Sequence, residues 1–158
     1  MGTIYTAAQA VGRFRINPQG SFDLLLENKT GAPSVLGTIV SIATLNDFAV
    51  RINPAQRIGI TMVVQDQGIA DGSSIWCTIH GICRVLLADG TGTTRGNWVR
   101  RHATIDGRAD GTAADPPDGG NPEVYPTSTR KHLLGMGRAL ETVSGGTNKL
   151  AWIVMQQS

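Results

Sequence analysis

Apolar and polar residues alternate along much of the chain, and this pattern predicts β-strands. In residues 58–64 every second side chain is apolar, and Phe48, Val50 and Ile52 likewise recur with a period of two. Such a period places the apolar side chains on one face of a half-buried strand. Further strand-like segments are residues 22–27, 38–44, 48–52, 74–80, 82–88 and 97–105.

Glycine-rich turns separate these segments. Gly81 divides residues 74–80 from 82–88, and the loop at residues 89–96 is interpreted as a hairpin loop. The turn at 144–148 separates residues 132–143 from 149–156. We favour a closing hairpin there, because Gly135 and Gly137 would each cost about 1 kcal/mol in a helix. Short strands at near-regular spacing predict an all-β fold, a compact barrel or sandwich of short antiparallel strands.

The chain has 158 residues, a length that fits one domain. Residues 1–20 contain few apolar clusters and end in a Pro-Gly turn signal, so we predict an N-terminal arm. Residues 21–158 form a single β-domain in this interpretation. Residues 106–130 form one long loop, rich in glycine and proline, without periodicity. Loops of this length in a compact domain are usually functional or disordered.

Charge excludes several kinds of partner. The net charge is +2 and only 16% of residues are charged, against 41% hydrophobic. Nucleic acids and anionic membranes select clustered Lys and Arg, so we expect neither as a partner. No apolar run is long enough for a membrane span, and no signal peptide is visible. The low charge content also predicts an oligomer that buries surface between its subunits.

Residue types that support chemistry are sparse, and we predict no catalytic site, cofactor or metal. Cys77-x-x-His80-x-x-Cys83 resembles a zinc spacing, but in a strand Cys77 and His80 point to opposite faces. Both cysteines alternate with apolar residues and are predicted to be buried, reduced thiols. Gly90–Gly96 lacks the Gly-Lys-Ser/Thr ending of a phosphate loop. The aspartates of the long loop match no calcium-binding loop.

Two groups of residues are candidates for contact with a partner protein. Arg13, Phe14, Arg15 and Ile16 alternate in charge and hydrophobicity, as expected of a strand added to a partner's sheet edge. Arg100 and Arg101 are adjacent in a predicted strand and therefore face opposite sides. They are either exposed edge charges or contacts to an acidic partner, since arginine pairs well with carboxylates.

The order of the motifs resembles the head decoration (cement) proteins of tailed bacteriophages. The likeness covers about residues 22–156 and rests on the order of the motifs rather than on any one of them. They include Phe22-Asp23-Leu24-Leu25-Leu26-Glu27, Gly68-Ile69-Ala70-Asp71-Gly72, Gly81-Ile82-Cys83-Arg84-Val85, Gly96-Asn97-Trp98-Val99-Arg100, Gly107-Arg108-Ala109, Gly135-Met136-Gly137-Arg138 and Gly145-Gly146-Thr147-Asn148-Lys149-Leu150.

The resemblance implies a non-enzymatic virion protein, made in the host cytoplasm, that stabilises the phage head. It implies binding to the major capsid protein on the outer surface of the head, and a homotrimer. Two alternatives remain open at this point. One is a β-domain of a phage tail or baseplate. The other is a small glycan- or ligand-binding barrel, with Trp76, Trp98 and Trp152 as a stacking platform.

Overall fold

A computed structural model describes residues 11–54, 60–111 and 135–156, and its fold is all-β, as the alternation predicts. These ranges include no helix, and hence none that could span a membrane. They contain ten strands: β1 (Phe14–Ile16), β2 (Phe22–Asn28), β3 (Ile39–Ile42), β4 (Ala49–Ile52), β5 (Met62–Val64), β6 (Ser74–Leu86), β7 (Trp98–Arg101), β8 (Ala109–Gly111), β9 (Gly135–Ala139) and β10 (Leu150–Met155).

Five strands close into a barrel. They pair in the order β2-β4-β3-β5-β6, and β6 pairs back with β2. The pairs are antiparallel except β2 with β4, which is parallel, so the barrel is mixed rather than purely antiparallel as predicted. Closure leaves these strands without the open edge of a flat sheet. The barrel core consists of Leu26, Val40, Val50, Met62, Val64, Ile75 and Cys77.

A second sheet continues from the same long strand. β6 has 13 residues, and its last part, from Gly81 to Leu86, pairs with β10. β9, β7 and β8 follow in order, and a parallel bridge from Ala109 returns to Leu87, just beyond β6. The sheet encloses its own core: Ile39, Val63, Cys83, Val85, Leu87, Val99, Ala109, Met136, Ala139, Ala151, Ile153 and Met155.

The barrel strands β3 and β5 contribute side chains to both cores, and this packs the barrel against the second sheet. Ile39 and Val63 belong to the core of the second sheet, whereas their chain neighbours Val40, Met62 and Val64 belong to the barrel core. Successive strand residues point to opposite faces, so β3 and β5 form a wall between two apolar interiors. The described part of the chain is therefore held together by two cores with a common wall.

The structure corrects the predicted division at Gly81. β6 runs straight through this residue, which adopts a left-handed φ of 98°. A Cβ atom there would lie 2.8 Å from the Cα of Ser21, so the glycine is required by a close backbone approach rather than by a turn. The strand pairing with β2 also shifts beside Ile79, a β-bulge that leaves Ile79 packed against the barrel core.

The hairpin predicted around residues 89–96 is wrong, because β10 and β9 lie between β6 and β7. The loop instead passes the ends of both strands, where Thr93 pairs with Val143 in the connection between β9 and β10. Glycines in this loop and on β8 allow tight packing: a Cβ on Gly111 of β8 would overlap the carbonyl of Gly92 in the loop, and a Cβ on Gly92 would overlap that of Val143. The closing hairpin is confirmed, since β9 and β10 pair antiparallel.

Other boundaries differ in detail. Phe48 is not on the inner face with Val50, because it ends the turn before β4 with a φ of 51° and is 60% exposed. The predicted strand at 97–105 is shorter, and the first part of the predicted loop at 106–130 contains β8. The rest of that loop, and residues 1–10 of the predicted arm, lie outside the described residues.

Candidate interaction surfaces

The two cysteines and His80 do not converge. Cys77 lies in the barrel core, Cys83 lies in the core of the second sheet, and His80 is exposed. Both thiols are free and buried, as predicted. Burial raises the pKa of Cys83 to about 12 and raises that of Cys77 further. Within the described ranges no three His, Cys, Asp or Glu side chains gather as metal ligands would.

A buried carboxylate fixes β1 to the barrel. β1 pairs antiparallel with β2, which places Arg15 opposite Asp23. Asp23 is fully buried, and its carboxylate accepts hydrogen bonds from Arg15 Nε at 3.1 Å and from Thr78 Oγ1 at 2.6 Å. Asn17 Nδ2 also donates to Asp23, and contacts the Ser21 hydroxyl as well. Burial of a charge is tolerated only with such partners.

Arg15 also contacts an indole. Its guanidinium carbon lies 4.2 Å from the centroid of the Trp76 ring on β6. One side of β1 is therefore tied to the barrel by an ion pair and a cation–π contact. Because neighbouring strand residues face opposite ways, Phe14 and Ile16 are on the other side of β1.

That other side is an exposed apolar surface, which we call the β1 patch and define by Phe14, Ile16, Phe22 and Phe48. Phe14 is 75% exposed and Ile16 is 64% exposed, and Phe22 is opposite Ile16 in the strand pair. The Phe48 ring lies against Gly12, 3.2 Å from the position a Cβ would take. Exposed apolar side chains that cluster in this way mark interaction sites more often than isolated ones do.

Among the strands of residues 11–54, 60–111 and 135–156, β1 pairs with β2 alone, so the β1 patch borders a strand edge that has no partner in this part of the chain. β1 ends the strand order, and Asn17 donates its backbone N–H to Ser21 in the β1–β2 register. In an antiparallel pair, residues that bond to the partner strand through their backbone alternate with residues whose backbone groups point away from it. Phe14 and Ile16 are of the second kind, so their N–H and C=O groups point away from β2. This edge can accept a further strand, with apolar side chains beside the new hydrogen bonds.

The structure brings four of the six predicted contact residues together and separates the other two. Arg13 is exposed and directly precedes β1, so the run from Arg13 to Ile16 lies along one edge. Arg100 and Arg101 are on β7 in the second sheet and face opposite sides, as predicted. Arg100 forms a 3.2 Å ion pair with Asp110. Arg101 is only 3% exposed, and burial lowers its pKa, so it offers a partner little surface in this conformation.

Sequence reasoning missed a set of three arginine–tryptophan pairs. Besides Arg15 over Trp76, Arg84 lies 4.6 Å from the Trp152 ring centroid and Arg138 lies 4.0 Å from that of Trp98. In both of these pairs the two residues are cross-strand neighbours. The sequence shows only that Arg and Trp both occur in strand-like segments. Which Arg lies opposite which Trp depends on the register between the paired strands, and the sequence of a single segment does not reveal that register.

Comparison with solved structures identifies a protein with the same fold. The match is to the N base of head fiber gp8.5 of bacteriophage phi29, with a TM-score of 0.52 and 16% sequence identity. It covers 86% of this chain and 94% of that one. No protein-family model matches the sequence, and neither does any curated protein. The comparison therefore establishes a shared fold.

Proposed function

We propose that this chain is a non-enzymatic structural protein attached to the outside of a phage head. The observation that carries the proposal is the fold shared with a head fiber base, over nearly the whole length of that base. The order of sequence motifs independently resembles a family that also binds phage heads. Two lines of comparison, one from the sequence and one from the structure, thus support the proposal of a location on the phage head.

The fold has properties suited to a mechanical role. A closed barrel and a second sheet bury two apolar cores, so the described part of the chain is a compact block with a defined shape. Such a block adds stability to a lattice when it binds assembled subunits and not separated ones. The β1 patch supplies apolar surface for a contact of this kind.

A finer proposal is that the protein decorates and stabilises the shell as a homotrimer bound to the major capsid protein. Arg13, Phe14, Arg15 and Ile16 would contribute the strand edge, with Arg100 and Arg101 as further candidates. Arg15 already contacts Asp23 and Trp76, so in this proposal it positions β1, and Phe14 and Ile16 provide the contact.

Light scattering at tens of micromolar tests the oligomeric state: we expect three times the chain mass of 16.7 kDa, and a strict monomer would contradict the homotrimer.

The glycan-binding alternative receives less support. Each tryptophan of the chain has a guanidinium over one face of its ring, and that face is not open for stacking on a sugar. The alternative of a tail or baseplate domain predicts a different position on the same particle, which imaging distinguishes.

Co-sedimentation tests the proposal. Heads of the encoding phage, assembled without this protein, are mixed with the purified chain and pelleted. We expect saturable binding to mature heads and little binding to the unexpanded precursor. Failure to bind mature heads at micromolar protein would contradict head attachment. An unrelated β-barrel protein of similar mass serves as the control for trapping in the pellet.

A further inference from the structure

Exposed apolar side chains are concentrated at one end of the barrel. Within residues 11–54, 60–111 and 135–156, ten large hydrophobic side chains are exposed, and seven of them lie at this end. Four of the seven form the β1 patch, and the other three are Ile42, Leu45 and Ile60. We call the seven together the barrel-end surface. Single exposed apolar residues are ordinary, whereas a cluster of this size indicates a binding surface.

The strand register places these residues at the same end. Asp23 and Val63 are both opposite Thr78 on β6, so β2 and β5 begin at the same end of the barrel. β3 is antiparallel to β5 and ends at Ile42, and their register, extended by two residues, places Ile60 beside Ile42. The turn between β3 and β4 carries two more of the seven residues, and β1 lies beside the start of β2.

The barrel-end surface continues the inner face of the barrel beyond its last buried layer. Ile42 follows Val40 by two residues, and Val40 belongs to the barrel core, so alternation directs both side chains to the same face. The same relation holds between Ile60 and Met62. The apolar interior of the barrel therefore extends into a surface that is exposed to solvent.

The size and charge of the barrel-end surface are those of an apolar protein interface. Its exposed side chains amount to roughly 800 Å² of accessible surface, about what one partner contributes to a stable complex. The largest apolar patch of an ordinary monomer is smaller, about 300–600 Å². Two exposed charged residues, Arg13 and Asp47, border the surface in sequence and have opposite signs. The surface thus favours an apolar partner over an acidic or a basic one.

Backbone groups within the surface determine the class of partner. The N–H and C=O groups of Phe14 and Ile16 point away from β2 and lie among apolar side chains. A lipid or a featureless apolar face would bury these groups without hydrogen-bond partners, which is unfavourable. A strand of another protein supplies both acceptors and donors along this edge. The barrel-end surface therefore fits an extended polypeptide segment with apolar side chains on one face.

We infer that the barrel-end surface docks onto the head shell by receiving an extended, apolar segment of a shell protein. The segment pairs with β1 through its backbone, and its side chains cover the exposed end of the barrel. This inference rests on the proposed function. It extends the contact from the β1 patch to the whole barrel end, and it assigns Ile42, Leu45 and Ile60 to the same interface.

Ile16→Pro and Ile16→Ala form a matched pair that separates strand pairing from apolar contact. Both replace the side chain by a smaller one, but only the proline removes the N–H group that points away from β2. Proline is tolerated where the N–H group of an edge strand faces solvent, so the β1–β2 hydrogen bonds should remain. In co-sedimentation with mature heads that lack the protein, the proline should raise the Kd about tenfold more than the alanine. Thermal unfolding checks that both variants fold.

A double variant tests the part of the surface outside β1, and it decides the inference if the proline variant fails to fold. Ile42→Ser with Ile60→Ser removes two exposed apolar side chains from the barrel end and should raise the Kd for heads by about tenfold or more. The matched control, Val35→Ser with Ile105→Ser, removes two exposed apolar side chains elsewhere and should change the Kd by less than about twofold.

Each remaining outcome counts against the inference. Equal Kd values for the folded proline and alanine variants would overturn strand pairing with β1. Unchanged binding by the Ile42 and Ile60 double variant would overturn the assignment of the barrel end and leave head attachment intact. Light scattering that showed this variant to be monomeric and the wild type oligomeric would assign the surface to contacts between copies instead. Absence of binding by the wild-type protein would overturn both this inference and the proposed function.

Discussion

Thr78 donates a 2.6 Å hydrogen bond to the carboxylate of Asp23, and this contact joins β6 to β2 at a fully buried position. The same carboxylate receives Arg15 from β1. One acidic side chain thus connects three strands, and β1 retains its position on the barrel because of it. The exposure of Phe14 and Ile16 on the far side of β1 is a consequence of this arrangement.

Asp23→Asn should lower the free energy of unfolding by about 3 kcal/mol. The variant replaces the buried carboxylate, which accepts hydrogen bonds, with an amide whose N–H₂ group can only donate. Some of the donors around residue 23 are then left without an acceptor. Urea denaturation measures the loss. Asp47→Asn is the matched control, because Asp47 is exposed, and it should change stability by no more than about 0.5 kcal/mol. Equal stability of the two variants would contradict the role assigned to Asp23.

Gly137→Ala should be among the most destabilising single changes in the chain, at about 3 kcal/mol. A Cβ at this position would overlap the carbonyl oxygen of Val154 on the paired strand β10, and a backbone cannot yield as a flexible side chain can. Gly20→Ala provides the comparison. Its surroundings are open and only its φ of 82° is unfavourable, so about 1 kcal/mol is expected. Thermal unfolding that ranked the two variants in the opposite order would count against the close approach.

The native thiols should resist alkylation and disulfide-exchange reagents near neutral pH, and two thiols should react after unfolding. Burial raises the pKa of Cys83 from 9.0 to about 12, so the folded state favours its protonated form. The stability contributed by that difference is complete below about pH 9 and is lost as the pH rises towards 12. Cys83→Ala should lose less stability over that interval. Rapid labelling of the native protein, or one zinc per chain by elemental analysis, would contradict this account of the cysteines.

The β1 patch should contribute to binding and hardly at all to folding. Phe14→Ser with Ile16→Ser removes two mostly exposed side chains, so the free energy of unfolding should change by about 0.5 kcal/mol or less. The Kd for heads should rise by about tenfold or more, which corresponds to ~1.4 kcal/mol. The control variant Val35→Ser with Ile105→Ser removes two exposed apolar side chains outside the patch. Equal weakening of binding by that control would show that the patch has no particular role.

Alternation predicted much of the fold because most strands have one buried face. β2, β4 and β10 were placed correctly to within one residue at each end, and both cysteines were assigned to cores. Pairing was harder to predict, since it depends on contacts between residues distant in sequence. The loop at 89–96 has the composition of a hairpin loop, yet its strands are separated by β10 and β9, which come later in the chain.

The interaction surfaces could be predicted only in part. The alternation of Arg13, Phe14, Arg15 and Ile16 indicated a strand with two unlike faces, and the structure places them along one edge. The arginine–tryptophan pairs on the second sheet were not predictable, because both faces of β10 carry apolar residues and the sequence does not say which face is buried. The predicted contact roles of Arg100 and Arg101 stay predictions.

Electron cryomicroscopy of heads with and without this protein tests the central claim most directly. We expect added density on the outer surface of the head shell, of a size that fits the barrel and second sheet, and absent from particles that lack the protein. Density confined to the tail or baseplate, or identical heads in the two samples, would contradict head attachment.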